Sequence, residues 1–188
     1  MINHITDQKQ NLRKVLKGRL SLMQKSDKIA EDIKINSTLQ KKFKNTLSIL
    51  CYFPLGSEPN IIPSIKYWLD KDFIISIPRI YNGDFQCLQI DNFSKSNFIR
   101  SNFGTLEPNP HTSNTISKMN IDLVLVPGLA FTSNGLRLGR GGGIYDKFLS
   151  TLSNEKSLTV GICYKNQIVD SIPIEKHDRS VDLVISIK

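Results

Sequence analysis

Residues 121–149 read IDLVLV-PGLAFTSNGLRLGRGGG-IYDKFL: an apolar run, a glycine-rich loop and a helix-like segment. The run 121–126 is typical of a strand that is covered on both faces of a sheet, and 144–152 is typical of a helix. In an open α/β sheet, ligands bind beyond the carboxyl ends of the strands. This order of segments therefore predicts a ligand site in the loop that joins them.

The residue types of this loop suit an anion. Just before the helix, four glycines leave the backbone without side chains: Gly139, Gly141, Gly142 and Gly143. Its N–H groups are free to approach a phosphate, and the helix dipole adds positive charge there. Arg137 and Arg140 supply permanent guanidinium charges, and Asp146, one turn into the helix, suits a hard cation. The alternative is a flexible glycine loop with solvated arginines.

Two common nucleotide-binding motifs do not fit the loop. A dinucleotide fingerprint requires a third glycine where Ile144 stands, and a Walker-type loop requires Gly-Lys-Ser or Gly-Lys-Thr. The residues alone therefore predict a phosphate-binding loop whose ligand is left open.

The rest of the chain alternates between strand-like and helix-like segments. Further strands are predicted at 47–53, at 73–77 with Pro78 as its end, at 158–164 and at 181–187. Helices are predicted at 6–43, divided where Asp27 caps a second helix, and at 61–69. Asn82-Gly83 predicts a hairpin over 80–90, and residues 91–119 are predicted to be loops with short elements. The pattern predicts one α/β domain, 1–188, with a doubly wound, mainly parallel sheet, helices on both faces and a small added hairpin.

Three cysteines and one tryptophan are predicted to lie in the core. Cys51, Cys87 and Cys163 are widely spaced in apolar stretches, where a thiol usually serves as a small hydrophobe; a reactive thiol is the alternative. Trp68 follows Ile61 and Ile65 at helical spacing. The three histidines have no zinc-ligand spacing.

The net charge of +8 is located in the first quarter of the chain. Residues 9–44 hold eleven basic and three acidic residues. Such a segment suits nucleic acid or an anionic small molecule, but the aromatic residues that single-strand binders interleave are missing there.

No apolar run reaches the roughly 20 residues of a membrane span, and the N-terminus does not read as a signal peptide. We therefore expect a cytoplasmic protein without a membrane association.

The long motif 127–149 resembles the signature of the 5-formyltetrahydrofolate cyclo-ligase (5,10-methenyltetrahydrofolate synthetase) family. Five shorter pieces follow in the order of that family. They are Lys9…Arg13 with Arg19, Tyr52…Glu58, Ile77-Pro78-Arg79, Gly104…Glu107-Pro108, and Ile172-Pro173…Glu175…His177-Asp178…Val181-Asp182. The resemblance thus extends over nearly the whole chain.

This resemblance implies an ATP- and Mg²⁺-dependent ligase that converts 5-formyltetrahydrofolate into 5,10-methenyltetrahydrofolate. It implies an ATP site made of Lys9, Arg13, Arg137, Gly139, Arg140, Gly141, Gly142, Gly143, Tyr145 and Asp146. Arg140 and Tyr145 are implied as catalytic residues, Glu58, Pro78 and Tyr145 as folate contacts, and Asp146 and Asp178 as metal ligands. Folate, which often carries a polyglutamate tail, and ATP are the expected partners of a monomer. The alternative is a catalytically silent relative that binds nucleic acid through the basic N-terminal helix.

The chain departs from the family pattern at two positions, and several implied roles have simpler alternatives. The family usually has Asp where Thr132 stands, and its tyrosine pair is reduced to Ile144-Tyr145. Lys9 and Arg13 are alternatively surface charges, Asp178 a turn cap and Glu58 a solvated loop acid. His177 is expected to shape its loop, since the implied reaction needs no strong base.

Overall fold

A computed structural model describes residues 2–101, 106–152 and 157–187. Its helices are α1 (Ile2–Ser21), α2 (Lys25–Lys42), α3 (Ile62–Leu69) and α4 (Ile144–Ser150). Its strands are β1 (Ser48–Leu50), β2 (Ile74–Tyr81), β3 (Asp84–Ile90), β4 (Phe98–Arg100), β5 (Leu106–Pro108), β6 (Leu123–Val126), β7 (Ala130–Phe131), β8 (Arg137–Leu138), β9 (Leu158–Ile162) and β10 (Leu183–Ile185). Within these ranges, none of the helices is both long and apolar enough to cross a membrane.

The main sheet has six strands in the order β10-β9-β6-β1-β2-β3. All neighbours are parallel except β2 and β3, which form an antiparallel hairpin at one edge. Asn82 and Gly83 at its turn have φ values of 49° and 78°, as a two-residue turn between twisted strands requires. The mainly parallel sheet and the added hairpin are therefore confirmed.

Each face of the sheet buries a different set of side chains. On one face, Ile49 and Leu125 pack with Ile35 and Leu39 of α2 and with Trp68 of α3. On the other face, Leu50, Val124 and Val126 pack with Phe148 and Leu149 of α4. The alternation follows from the period of two along a strand. Helices on both faces are thus confirmed, as are the core positions of Trp68 and the three cysteines.

Several predicted boundaries are wrong: the strands predicted at 47–53, 158–164 and 181–187 are shorter, as β1, β9 and β10 show. Helix α2 begins at Lys25 after Gln24, so Asp27 lies in its first turn instead of capping it, where its charge still suits the helix dipole. Strand β2 does not end at Pro78 but runs to Tyr81. The pairing between β2 and β1 ends at Ser76, so at Pro78 the strand β2 is paired only with β3. On its unpaired side no hydrogen bond requires an N–H, so proline is tolerated there.

The order of the strands in the main sheet determines where the candidate site lies. The chain passes from β1 through α3 to β2 on one side, whereas β6 lies on the other side of β1. The loops that follow β1 and β6 therefore separate at the carboxyl edge of the sheet and leave a crevice between them. Glu58 lies in the first of these loops, and the glycine-rich segment lies in the second.

Candidate functional site

A short hairpin shapes the glycine-rich loop. Strands β7 and β8 pair, and the turn between them approaches the chain before β10. A Cβ on Gly135, whose φ is +91°, would lie 2.1 Å from the Val181 carbonyl oxygen, so this close approach requires glycine. The Val181 amide donates to the Gly135 carbonyl at 2.9 Å. The hairpin is thereby fixed against the sheet, and it presents Arg137 at the crevice.

Arg137 is buried, with 7% of its surface exposed, and it links the loop to α4. Its Nη2 lies 2.8 Å from Asp146 Oδ2, and its Nη1 donates to the Pro127 carbonyl at 3.3 Å. The guanidinium carbon also lies 5.6 Å from the centre of the Tyr145 ring. Arg137 is therefore held from three sides by groups of the same motif.

A cavity of about 390 Å³, here called the large cavity, opens at the crevice. Its wall is mainly apolar and includes Tyr52, Phe53, Leu55, Ile77, Pro78, Ile80, Phe85, Leu106 and Ile144. The charged side chains in this wall are Glu58, Glu107, Arg137, Arg140 and Asp146. Apolar walls with a few fixed polar groups are the usual composition of a small-molecule site.

Glu58 lies buried in this wall and is held at both carboxylate oxygens. Oε2 accepts the Leu55 amide at 2.9 Å, and Oε1 accepts Arg140 Nε at 3.0 Å. Arg140 also donates from Nη2 to Ser57 Oγ at 2.6 Å. Burial raises the pKa of Glu58, whereas the Leu55 amide and the Arg140 charge act to lower it. The alternative that Glu58 is a solvated loop acid is therefore wrong.

Tyr145 and Pro78 also line the large cavity. The Tyr145 ring packs edge-on against Phe85, with 5.4 Å between the ring centres. Burial, followed by the nearby Glu58 charge, raises the pKa of the Tyr145 hydroxyl, so the hydroxyl keeps its proton and remains a donor.

A second cavity of about 210 Å³, the small cavity, lies on the other side of the glycine-rich loop. Its wall is mainly polar and includes Thr6, Lys9, Gln10, Arg13, Gly141, Glu175, His177 and Asp178. Arg137, Gly139, Gly143 and Asp146 line both cavities. The segment singled out by the sequence is thus the wall that the two cavities share.

Two cations of α1 enter the small cavity. Lys9 is 4% exposed, and its Nζ lies 2.7 Å from Glu175 Oε2 and within hydrogen-bond distance of Asp178 Oδ2. Arg13 donates from Nε to the Gly139 carbonyl at 2.9 Å. The alternative that Lys9 is a surface charge is therefore wrong.

Three potential metal-ligating residues come together beside Lys9. One ligand atom from each of Glu175, His177 and Asp178 lies within 4.8 Å of the others. The hydrogen bond from Lys9 lowers the pKa of Glu175. Burial acts to raise the pKa of Asp178, but Lys9 and the Glu175 amide outweigh it and the pKa is lowered. Both carboxylates are thus kept ionised.

A model of the 5-formyltetrahydrofolate cyclo-ligase family matches residues 5–186 of the chain. The protein belongs to this family. The 5-formyltetrahydrofolate cyclo-ligase of Mus musculus is 26% identical, with 96% of this chain and 94% of the mouse protein aligned. The protein of the same name from Mycolicibacterium smegmatis is 29% identical over 75% of this chain and 74% of its own.

Two solved structures resemble the fold of this cyclo-ligase family member. The Aquifex aeolicus 5,10-methenyltetrahydrofolate synthetase is 26% identical, with a TM-score of 0.82 over 95% of this chain and 89% of that one. A 5,10-methenyltetrahydrofolate synthetase from Mycoplasma pneumoniae has a TM-score of 0.76 at 22% identity, over 94% and 97% of the two chains. The second likeness bears on the fold alone.

The site residues implied by the cyclo-ligase resemblance divide between the two cavities. Glu58, Pro78, Arg140 and Tyr145 line the large one, and Lys9, Arg13, Gly141 and Asp178 line the small one. Arg140 is the unexpected member, because it pairs with Glu58 in the wall of the large cavity and not with a group of the small one. Its predicted contact with ATP stays a prediction.

Sequence reasoning assigned no role to Glu107 and Glu175, although both belong to quoted family motifs. Each is an acidic residue within a motif that resembles the family, and this was the signal that could have identified it as a site residue. Gly104, quoted with Glu107, lies outside the described residues.

Proposed function

We propose that this protein catalyses the ATP-dependent conversion of 5-formyltetrahydrofolate into 5,10-methenyltetrahydrofolate, with release of ADP and phosphate. The formyl oxygen attacks the γ-phosphorus of ATP, and ADP leaves. The neighbouring anilino nitrogen then closes the ring on the activated carbon, and the formyl oxygen leaves with phosphate. Family membership supports this reaction. The observation that carries it is the shared wall, because transfer between ATP and folate requires both to meet at one surface.

We assign the folate to the large cavity. Its apolar wall suits a heterocyclic ring, and Glu58 offers carboxylate oxygens to pterin N–H groups. The Tyr145 ring and Pro78 supply flat apolar surface, and the protonated Tyr145 hydroxyl is a donor. Arg140, on the loop between the cavities, orients Glu58 through their ion pair.

We assign the triphosphate of ATP to the small cavity. Lys9, Arg13 and Arg137 bring three cationic side chains to its wall. The loop backbone at Gly139, Gly141 and Gly143 lines the same space, with Gly142 in the wall of the large cavity beside it. Phosphoryl transfer depends on positioning and charge neutralisation more than on a protein nucleophile, and these groups meet that demand.

The donor set of the small cavity fits Mg²⁺. Asp146 and Asp178 both line it, and Mg²⁺ in nucleotide sites is bound by one or two carboxylates together with phosphate oxygens. Bound there, Mg²⁺ would neutralise charge on the phosphates. In the structure Asp146 pairs with Arg137 and Asp178 pairs with Lys9. Binding would therefore exchange partners, as carboxylates turn to the metal and the two cations turn to the phosphates.

The basic N-terminal segment fits this assignment better than a nucleic-acid interface. Lys9 is buried and Arg13 contacts the glycine-rich loop, so two of its cations point into the protein. A monomer in the cytoplasm, with folate and ATP as its small-molecule partners, stays our prediction.

The deciding experiment follows the absorbance of the methenyl product with purified protein, 5-formyltetrahydrofolate, ATP and Mg²⁺. We expect product formation that stops when ATP is omitted, with one ADP released per product. Lys9→Ala should reduce the rate strongly, whereas Lys17→Ala, which removes an exposed cation from the same helix, should leave it unchanged. Absence of product, together with tight RNA binding that both variants weaken equally, would favour the nucleic-acid alternative.

A further inference from the structure

Glu107 is a charged side chain of the large cavity to which the proposed reaction has assigned no role. It lies at the centre of β5, which pairs with β4 next to the β2–β3 hairpin. It is 6% exposed and lines the cavity together with Ile80 and Leu106. A carboxylate in such a position has little contact with bulk water, so its hydrogen-bond partners must come from the protein or from a ligand.

The contacts of Glu107 differ from those of the other charged groups in this wall. Arg137 pairs with Asp146, and Arg140 pairs with Glu58. In the part of the chain that the structure describes, Glu107 forms no ion pair, and its hydrogen bond is a long one of 3.5 Å from the Ile80 amide to Oε1. A hydrogen bond of that length is weak. The carboxylate thus keeps hydrogen-bond capacity that the described side chains do not use.

Burial of this carboxylate is unfavourable in the unliganded protein. Burial raises the pKa of Glu107, and the Ile80 amide and the more distant Arg79 charge counteract this only in part. A ligand that brings N–H donors into the cavity would remove this penalty, since a buried acceptor is stabilised when it is paired.

We propose that Glu107 is a second folate-binding carboxylate, which accepts N–H groups of the pterin ring system from a side of the cavity wall separate from Glu58. The inference rests on the proposed function. The two residues come from different elements, Glu58 from the loop after β1 and Glu107 from β5. Two carboxylates in one apolar cavity select a flat heterocycle that carries N–H donors on more than one edge. A nucleobase or ring with a single donor edge would leave one of them unpaired.

A purely structural role for Glu107 is the competing explanation. Its Oε1 accepts the Ile80 amide in the part of β2 that has extended beyond β1, so it could serve to satisfy that amide. The two roles respond differently to Glu107→Gln. Glutamine keeps an oxygen acceptor for Ile80 but removes the charge and half of the acceptor capacity.

The test measures binding without turnover. Dissociation constants of 5-formyltetrahydrofolate alone and of Mg²⁺–ATP alone are determined by calorimetry for the parent, Glu107→Gln, Glu58→Gln and Glu31→Gln, along with the melting temperature of each. Glu31 is the matched control, because it also accepts a backbone amide, that of Lys165, but lies outside both cavities. We expect Glu107→Gln to weaken folate binding about tenfold or more, as loss of a charge-assisted hydrogen bond does, with ATP binding unchanged and the melting temperature unchanged or raised, because the variant no longer buries a charge.

Two outcomes would overturn the proposal while leaving the proposed function intact. In the first, Glu107→Gln binds folate like the Glu31→Gln control. In the second, its melting temperature falls and both ligands weaken in parallel, which identifies a structural residue. A parent protein that does not bind 5-formyltetrahydrofolate would refute the proposed function and this inference with it.

Discussion

The large and small cavities share the glycine-rich loop, yet they hold their charges in different ways. In the large cavity, two carboxylates are set in an apolar wall, where Glu58 pairs with Arg140 but Glu107 has no ion-pair partner among the described residues. In the small cavity, cations and carboxylates already neutralise each other, as Lys9 does with Glu175 and Asp178. The difference supports the proposed assignment, in which one cavity binds its ligand by hydrogen bonds and apolar contact, and the other by exchange of ionic partners.

The contacts that each cavity already contains should affect how its ligands bind. A ligand entering the large cavity finds Glu58 already oriented by Leu55 and Arg140. A polyphosphate entering the small cavity has to compete with Glu175 and Asp178 for Lys9, and a metal held by Asp178 would weaken that competition. We therefore expect metal and ATP to bind together in the small cavity, since each relieves the unpaired charge left by the other.

Arg137 belongs to both cavities, and its replacement should have the largest effect. Arg137→Met leaves the partly buried Asp146 carboxylate without its charged partner at 2.8 Å, with the Arg179 amide as its remaining donor. Removal of one member of a buried pair typically costs about 3–5 kcal/mol of the free energy of unfolding. Because Asp146 is partly exposed and keeps the Arg179 amide, we expect a loss toward the lower end of that range in denaturant unfolding, together with a loss of measurable product formation.

A second variant separates the stability effect from the catalytic one. Adding Asp146→Asn to Arg137→Met removes the unpaired charge, so the free energy of unfolding should recover in part while activity stays low. If Arg137→Met is as stable as the parent, the Arg137–Asp146 ion pair does not stabilise the wall that the two cavities share.

Asp178 should have a smaller effect that is confined to the small cavity. Asp178→Asn removes one of the anionic ligands proposed for Mg²⁺, but Lys9 keeps its contact with Glu175. We expect the Mg²⁺ concentration for half-maximal rate to rise several-fold, with excess metal restoring part of the rate and the KM for folate unchanged. Asp84→Asn, at an exposed carboxylate of the hairpin turn, is the control. An unchanged Mg²⁺ requirement would refute Asp178 as a ligand.

Arg140 tests which cavity this loop residue serves. Its charge acts to lower the pKa of Glu58, so Arg140→Ala should let burial raise that pKa further. In the proposed function the ionised Glu58 carboxylate accepts N–H groups of the folate, and a higher pKa means that the carboxylate becomes protonated at a higher pH. We therefore expect the acid limb of the kcat/KM profile for folate to move to higher pH, with Arg140→Lys moving it less. A defect in the KM for ATP alone, with no change in the acid limb, would place Arg140 at the triphosphate.

The sequence predicted the fold more completely than the site. Buried apolar runs and the Asn82-Gly83 turn are local signals, and the structure follows both. The end of β2 was predicted wrongly because tolerance of Pro78 depends on where the neighbouring strand β1 stops, which is not a local property. The motif located the glycine-rich loop, because glycines and arginines at fixed spacing are visible in one segment.

The partners of the charged residues were beyond sequence reasoning. Lys9 and Glu175 are 166 positions apart, and Arg140 and Glu58 are 82 apart, so these pairings depend on the complete topology. The same is true of Glu107, whose placement in the cavity wall depends on β5 packing beside β2.

Thr132, where the family usually has Asp, is expected to give the smallest effect. Its Oγ1 accepts the Leu136 amide at 3.0 Å and donates to Asn134 Oδ1, so the hydroxyl provides the turn with the acceptor that a carboxylate would provide. Thr132→Val keeps the shape but leaves the Leu136 amide unpaired, which should cost about 1 kcal/mol. For a chain of this length, that corresponds to a decrease of about 2–4 °C in the melting temperature. Because Thr132 lines neither cavity, kcat/KM should stay within about twofold of the parent, and Thr132→Ser should retain the turn's hydrogen bonds. A large loss of activity with an unchanged melting temperature would mean that Thr132 contacts a substrate, and the boundary drawn here around the two cavities would then be too narrow.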